Sequence, residues 1–436
     1  MSISGKNFML FAAVAAVLCV IAAVQSVAVA VTIVNLCLVS AVMSLGLNIQ
    51  WGYAGLPNLG VMGFAALGGL AVVLVSAPGV PAAIAAGGPG IIASFVVVVV
   101  TVAAVVGIRR LTSLSRATRV AAVIAVLALG YLILGRYFGP AKNLIEAIDP
   151  SATGYLGGLG LPVLLSWPVG ALFAAAAAWL VGKIALGLRG DYLAIASLGI
   201  SEIIIAVLKN EDWLSRGVKN VVGLPRPLPD ELGLAGTSWL QSLAIQFGIS
   251  PPDAAALVVK LGYSALFMLV LAFLLLLSEK ALHSPWGRMI YAVRDNEIAA
   301  SAMGKNVKNL HLIVFVIGAA VIGLAGAMLV TLDGQFTPGT YQPLRFTFLI
   351  WVMVIVGGSG NNWGAVLGAL IIWTCWIEAD PIGTWLIQHS IGWLPVGNAM
   401  RDQLTANASQ MRLIVMGVIL LVTLRFKPGG LIPERH

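Results

Sequence analysis

Long apolar runs follow one another along most of the chain, and they restrict it to helices that lie in a membrane. Crossing the hydrocarbon core takes roughly 20 predominantly apolar residues, with every backbone polar group satisfied inside the segment. By that measure the sequence offers about 12 segments. They lie near residues 8–25, 27–48, 57–76, 91–107, 120–136, 164–182, 191–208, 261–278, 310–331, 347–358, 363–378 and 412–424. The segment 347–358 is short for a span, so it and its neighbour are expected to be broken or re-entrant. Hydrophobic residues make up 60% of the chain and charged ones 10%, against about 25% charged in soluble domains. The expected fold class is all-α: a polytopic bundle of about 10–12 spans, forming one transmembrane domain over 1–436.

The net charge of +8 is a topology signal rather than a sign of a nucleic-acid partner. With the spans alternating from an inside N-terminus, 15 of the 25 Lys and Arg fall in loops on one side, among them Arg109, Arg110, Lys183, Arg189, Lys280, Arg288, Arg294 and Lys427. That bias predicts both termini in the cytoplasm. The first 25 residues have the outline of a signal peptide. The apolar run resumes directly after Gln25-Ser26, which favours an uncleaved hairpin of spans. The segment 77–90 is rich in Gly and Pro and is expected to be a turn region. Two outer loops, 209–260 and 379–411, are the larger excursions, the second carrying Trp385, Trp393 and Pro395.

Catalytic groupings do not emerge from the spacing. Cys19, Cys37 and Cys375 lie in apolar spans with no CxxC or Cys/His grouping, so neither a disulfide framework nor a metal site is expected. The four histidines are scattered, and there is no G-x-x-x-x-G-K-[ST] phosphate loop. No enzyme activity and no cofactor are expected of this chain.

Ionisable groups inside spans are costly, by about 2.5–3.5 kcal/mol at a helix centre, which singles out Glu202. Structural support inside the bundle and a place on a path are both open for it. Glu378 and Asp380 sit at a span end and are expected to be interfacial. Glycine is concentrated in two places. Gly46, Gly52, Gly55, Gly60, Gly63, Gly68 and Gly69 crowd one stretch around Asn48 and Asn58. Gly357, Gly358, Gly360, Gly364 and Gly368 form the other. Gly-interrupted segments in two halves are the pattern of a transporter with a path between them; close packing of helices is the alternative. The candidate path residues are Asn48, Gly52, Gly55, Asn58, Gly60, Glu202, Gly357, Gly358 and Gly360.

One charged island, Ser284 through Gly304, stands between two apolar runs inside a loop of about 279–309. Its spacing predicts a single helix from Gly287 to Gly304, with Arg288, Tyr291, Asp295 and Ile298 at three- to four-residue steps. Asp295 and Glu297 would form an acidic patch beside Arg288 and Arg294. A helix held in this way by flanking spans suits the transmission of a push from a bound motor.

Several blocks resemble the permease subunit of bacterial ABC importers for branched-chain amino acids, of the M-type that pairs with an H-type permease. They are Gly46-Leu-Asn-Ile-Gln-Trp-Gly-Tyr-Ala-Gly-Leu56, Leu188-Arg-Gly-Asp-Tyr-Leu-Ala-Ile195 running on to Glu202, Ser284 through Gly304, and Val356-Gly-Gly-Ser-Gly360 with Gly364. The stretch Leu424-Arg-Phe-Lys-Pro-Gly-Gly-Leu-Ile-Pro433 is similar too. The resemblance implies an ABC importer permease fold working with a second permease, two cytoplasmic ATP-binding subunits and a periplasmic binding protein. ATP would be held by those partners, and the chain would lie in the inner membrane. It also implies that Glu297, Ala299, Ala300 and Gly304 belong to the ATPase coupling motif, alongside the charged Arg288, Arg294 and Asp295. Here the motif is Glu-Ile-Ala-Ala-x-x-x-Gly, one residue longer than the general importer pattern. The loop Arg216-Gly-Val-Lys-Asn-Val-Val-Gly223 departs from the family's Thr-Gly-Gly-x-Asn-Gly, and the chain has an insertion near 77–162. A urea or amide importer of the same superfamily and an ion-coupled secondary carrier are the alternatives.

Overall fold

Each apolar segment forms a helix in the computed structural model, which describes residues 5–434 apart from 112–114, 152, 189, 391–402, 404–406 and 408–409. The expectations at Arg189, Trp393 and Pro395 lie outside the described residues. The first helices are α1 (Gly5–Val24), α2 (Val27–Leu47), α3 (Val61–Ser76), α4 (Pro81–Arg110), α5 (Arg116–Glu146), α6 (Ser166–Ala185) and α7 (Gly190–Asn210). Three short helices follow, α8 (Asp212–Ser215), α9 (Glu231–Ala235) and α10 (Ser238–Phe247). The long α11 (Pro251–Leu282) leads to the charged island. Among the described residues nine helices are long and apolar enough to cross a membrane, and α3 is one of two shorter apolar ones.

The charged island is two helices rather than one. α12 (Pro285–Asp295) ends at Asn296, whose φ of −153° and ψ of 96° leave the helical region, and α13 (Glu297–Ala302) starts anew. The Asn296 side chain accepts the Ala299 N–H at 2.9 Å, so it caps the second helix. Asparagine competes for backbone groups in this way and favours caps over helix interiors.

The chain continues through α14 (Val307–Asp333), α15 (Pro343–Gly357), α16 (Asn362–Ser390) and α17 (Met411–Phe426). α14 is the central helix, with α2, α3 and α6 packed around it. Small residues set those approaches: a Cβ on Gly46 would lie 2.8 Å from the Gly318 carbonyl oxygen, and one on Gly170 3.0 Å from that of Gly68. At one end of the bundle β1 (Val221–Val222) and β2 (Gln335–Phe336) pair antiparallel, Val221 opposite Phe336, and tie the loop after α7 to the loop after α14.

The structure revises two local expectations. Residues 77–90 are a turn only as far as Val80. Pro81 stands at the first helical position, where its missing N–H is harmless, and α4 runs from there through Pro89. The glycines serve contact with α5: a Cβ on Gly90 would lie 2.6 Å from that of Ala141. Glu378 is buried and accepts the side-chain amide of Gln25, in the turn between α1 and α2, at 2.8 Å. The irregular backbone expected at 347–358 lies elsewhere. α15 is short and unbroken, and the break falls after α2.

Candidate functional site

α2 does not simply end at Leu47. It widens into a π-helical turn over Asn48–Tyr53, and the chain then runs without helix to Gly60, where α3 begins. Such turns are rare and are frequent at functional sites. Non-helical backbone at membrane depth persists only where the protein satisfies its polar groups. Gln50, fully buried, does much of this. Its amide donates to the Phe315 carbonyl at 2.7 Å, and its oxygen accepts from the Asn58 amide at 2.8 Å. The Asn58 oxygen accepts the Gly60 N–H at 2.7 Å, and the Trp351 indole donates to the Asn58 carbonyl at 2.9 Å. Gly60 occupies the cap position of α3 but has no side chain to cap with. Two buried serines of α7 act in its place, accepting from Leu59 N–H (Ser197, 2.9 Å) and Gly63 N–H (Ser201, 2.8 Å).

The second glycine cluster closes on this break. The Asn48 side-chain oxygen accepts the Gly360 N–H at 2.9 Å. The Tyr53 hydroxyl donates to the Asn362 oxygen at 2.8 Å, and the Asn362 amide donates to Glu279, near the end of α11, at 3.1 Å. Gly360 has φ +78°, a left-handed conformation that suits glycine. The segment after α17 docks beneath, with Leu431 and Ile432 N–H groups donating to the Val356 and Gly357 carbonyls, each at 2.9 Å.

Asn48, Gly52, Asn58, Gly60, Gly357, Gly358 and Gly360 therefore converge in one buried seam, with Gly55 at its exposed rim. Glu202 lies apart from them. It stands on the exposed face of α7, about 100° round the helix from the buried Ser201, and makes no hydrogen bond or ion pair among the described residues.

The candidate coupling residues divide into outward and inward sets. Arg288, Asp295, Glu297 and Ala299 are exposed, next to Ile298 and Met303 at 83% and 80% exposure. Ala300 is buried and faces the bundle side, and Gly304 has φ +78° in the turn after α13. Arg294 turns inward. Its guanidinium donates to the Gly52 carbonyl at 2.6 Å and to Glu434 at 3.0 Å, and it lies 5.2 Å from the Tyr291 ring centroid. Burial, then the Glu434 carboxylate, pushes the Tyr291 phenol up to about 12, so the ring is neutral here. Sequence reasoning did not single out Gln50, Ser197, Ser201, Asn362, Glu279 or Glu434. Gln50 and Asn362 carried a usable signal, as amides within or beside apolar runs.

Residues 150–424 match the protein family described as branched-chain amino acid transport system / permease component. The chain belongs to this permease family. That stretch contains α7, the coupling loop and the Gly357–Gly360 turn, whereas the break after α2 precedes it. Three relatives carry the name LivM, two of which illustrate the range. The high-affinity branched-chain amino acid transport system permease protein of Escherichia coli is 27% identical over 280 residues, 63% of this chain and 58% of that protein. The match to it thus spans little more than half of that relative's length. The probable branched-chain amino acid transport permease of Methanocaldococcus jannaschii is 25% identical over 406 residues, 90% of each chain. The xylose transport system permease protein XylH of Haemophilus influenzae is 33% identical over 115 residues, 25% of this chain and 30% of its own. No solved structure matches. Nine candidate spans in a chain of this permease family make it a multi-pass membrane protein.

Proposed function

We propose that this chain is the transmembrane permease subunit of an ATP-driven importer for branched-chain, hydrophobic amino acids. It forms the translocation path with a second permease in a prokaryotic inner membrane. Two cytoplasmic ATP-binding subunits hold the ATP, and a periplasmic binding protein delivers the solute. The end carrying the coupling loop faces the cytoplasm, together with both termini, as the distribution of Lys and Arg favours.

The observation that carries this reading is the family match across the coupling loop, joined to that loop's geometry. Glu297, Ile298, Ala299 and Met303 present a mixed acidic and apolar surface outside the membrane helices. Ala300 anchors the same short helix to the bundle. Glu202 supports the path: a carboxylate in mid-span and without a partner is too costly to leave against lipid. The second permease and a hydrated path cover that face of α7. The glycine seam is the hinge region of the path, where close backbone contact allows two packings.

Purification of the detergent-solubilised chain with its candidate subunits tests the reading. Wild type is expected to retain an ATP-binding subunit, and Glu297→Lys and Ile298→Asp to lose it, with uptake of leucine, isoleucine and valine falling in parallel. Uptake that persists without any ATPase and collapses with an ionophore would instead establish an ion-coupled carrier. ATP-dependent uptake of urea in place of the amino acids would reassign the solute.

A further inference from the structure

Resting on the importer reading, the geometry points to Arg294 and Glu434 as a polar strut that makes the coupling loop and the broken helix move together. The Arg294 guanidinium uses one nitrogen on the Gly52 carbonyl, inside the π-helical turn, at 2.6 Å. Its other terminal nitrogen reaches both oxygens of Glu434 at 3.0 Å. Nε faces Asp295, on the exposed side of the loop, at 3.6 Å. Both partners of the central pair are mostly shielded, with side-chain exposures of 21% and 18%. Glu434 is fixed in turn, because the segment before it is hydrogen bonded to the Val356 and Gly357 carbonyls and Asn361 donates to the Pro433 carbonyl at 3.2 Å. Three separate pieces of chain thus meet on one planar cation: the loop, the break after α2 and the segment after α17, itself docked on the turn between α15 and α16.

Apolar packing seats α12 through the buried Ile290 and Val293, but it is non-directional. Between α12 and the bundle lies a cavity of about 290 Å³ lined by Ile49, Tyr53, Leu277, Trp286, Ile290 and Val321. The strut adds a directed polar link from the loop to the break, beside the Tyr291–Tyr53 ring contact, 5.8 Å between centroids. Glu434 is accordingly a positioning residue for transport, although it lies about 140 residues from the loop.

The test uses the complete importer in proteoliposomes and reads radiolabelled leucine imported per ATP hydrolysed. In Glu434→Ala that ratio is expected to fall roughly tenfold, within the usual span of coupling between sites, while the ATPase co-purifies in normal amount. Arg294→Lys is expected to match it, because a point-like ammonium does not hold both acceptors in a fixed fork. The double variant should lose no more than either single one, the mark of a shared interaction. An unchanged ratio in the single variants, additive losses, or losses that only track reduced co-purification would each overturn the strut. A wild-type complex that imports nothing with ATP would overturn the importer reading, and the strut with it.

Discussion

Asn362 shows how much one buried amide organises here. It accepts from the Tyr53 hydroxyl and donates to Glu279, joining the π-helical turn to the end of α11 through the turn that opens α16. Asn362→Leu keeps a similar volume and leaves a phenol and a carboxylate without this partner. An orphaned buried polar group, here the Tyr53 hydroxyl, costs about 1–3 kcal/mol, whereas the partly exposed Glu279 can turn to water. The melting temperature of the solubilised chain should therefore drop measurably. A variant that melts with wild type would show that water replaces the amide and that the network is slack. The sequence exposed Asn362 only as one of several polar residues in a Gly-rich run. Its partners lie 83 and 309 positions away, and no local pattern encodes such pairs.

Short helices need their ends satisfied, and α3 borrows its cap from α7. Because Gly60 has no side chain, Ser201→Ala removes the side-chain acceptor of the Gly63 N–H and leaves it only the Gly60 carbonyl at 3.1 Å. The change is expected to cost about 1 kcal/mol, the usual effect of losing a cap. Hydrogen exchange at residues 60–64 reads this directly: protection should fall there while α14 stays protected. Equal protection in the variant would mean that the serine does not cap. The same logic explains the break in the charged island. Helical spacing across Arg288, Tyr291, Asp295 and Ile298 predicts one helix, yet Asn296 starts a new cap between them and turns α13 outward. Periodicity reports which residues favour helix. The cap decides where one helix stops and another begins.

At the scale of the whole molecule the hairpin of α4 and α5 stands out, since only 6% of the apolar window in each helix is buried. Its stem is already closed: a Cβ on Gly79 would lie 3.1 Å from the Gly158 carbonyl oxygen, and Val80 N–H donates to Leu156. Its ties to the rest are few, including the Lys142–Glu211 ion pair at 3.1 Å and the Phe138–Trp213 ring contact. Exposed pairs of this kind contribute about 1 kcal/mol or less. Replacing residues 81–146 by a short Gly-Ser linker should therefore leave the bundle folded, with the monodisperse profile and melting temperature of wild type on size exclusion and thermal unfolding. Aggregation or a large loss of stability would mean that the hairpin supports the bundle.

The apolar runs by themselves determined the order of the long helices, because a chain this poor in charge has few other ways to satisfy its backbone in a bilayer. The short α8, α9, α10 and α13 emerged only in the fold. The charged island and the glycine clusters were legible for a related reason, as interruptions in that pattern. What touches what was decided only in three dimensions. Arg294 stands among outward-facing charges in the sequence, but the position of Gly52 and Glu434 turns it inward. Glu202 follows Ser201 on one helix, yet packing buries the serine and leaves the carboxylate exposed. Gln50 became central only when the break after α2 placed Asn58 and Phe315 within reach. Hydrophobic periodicity is a local property of the chain, whereas a buried polar group takes whatever partner the packing of distant helices supplies.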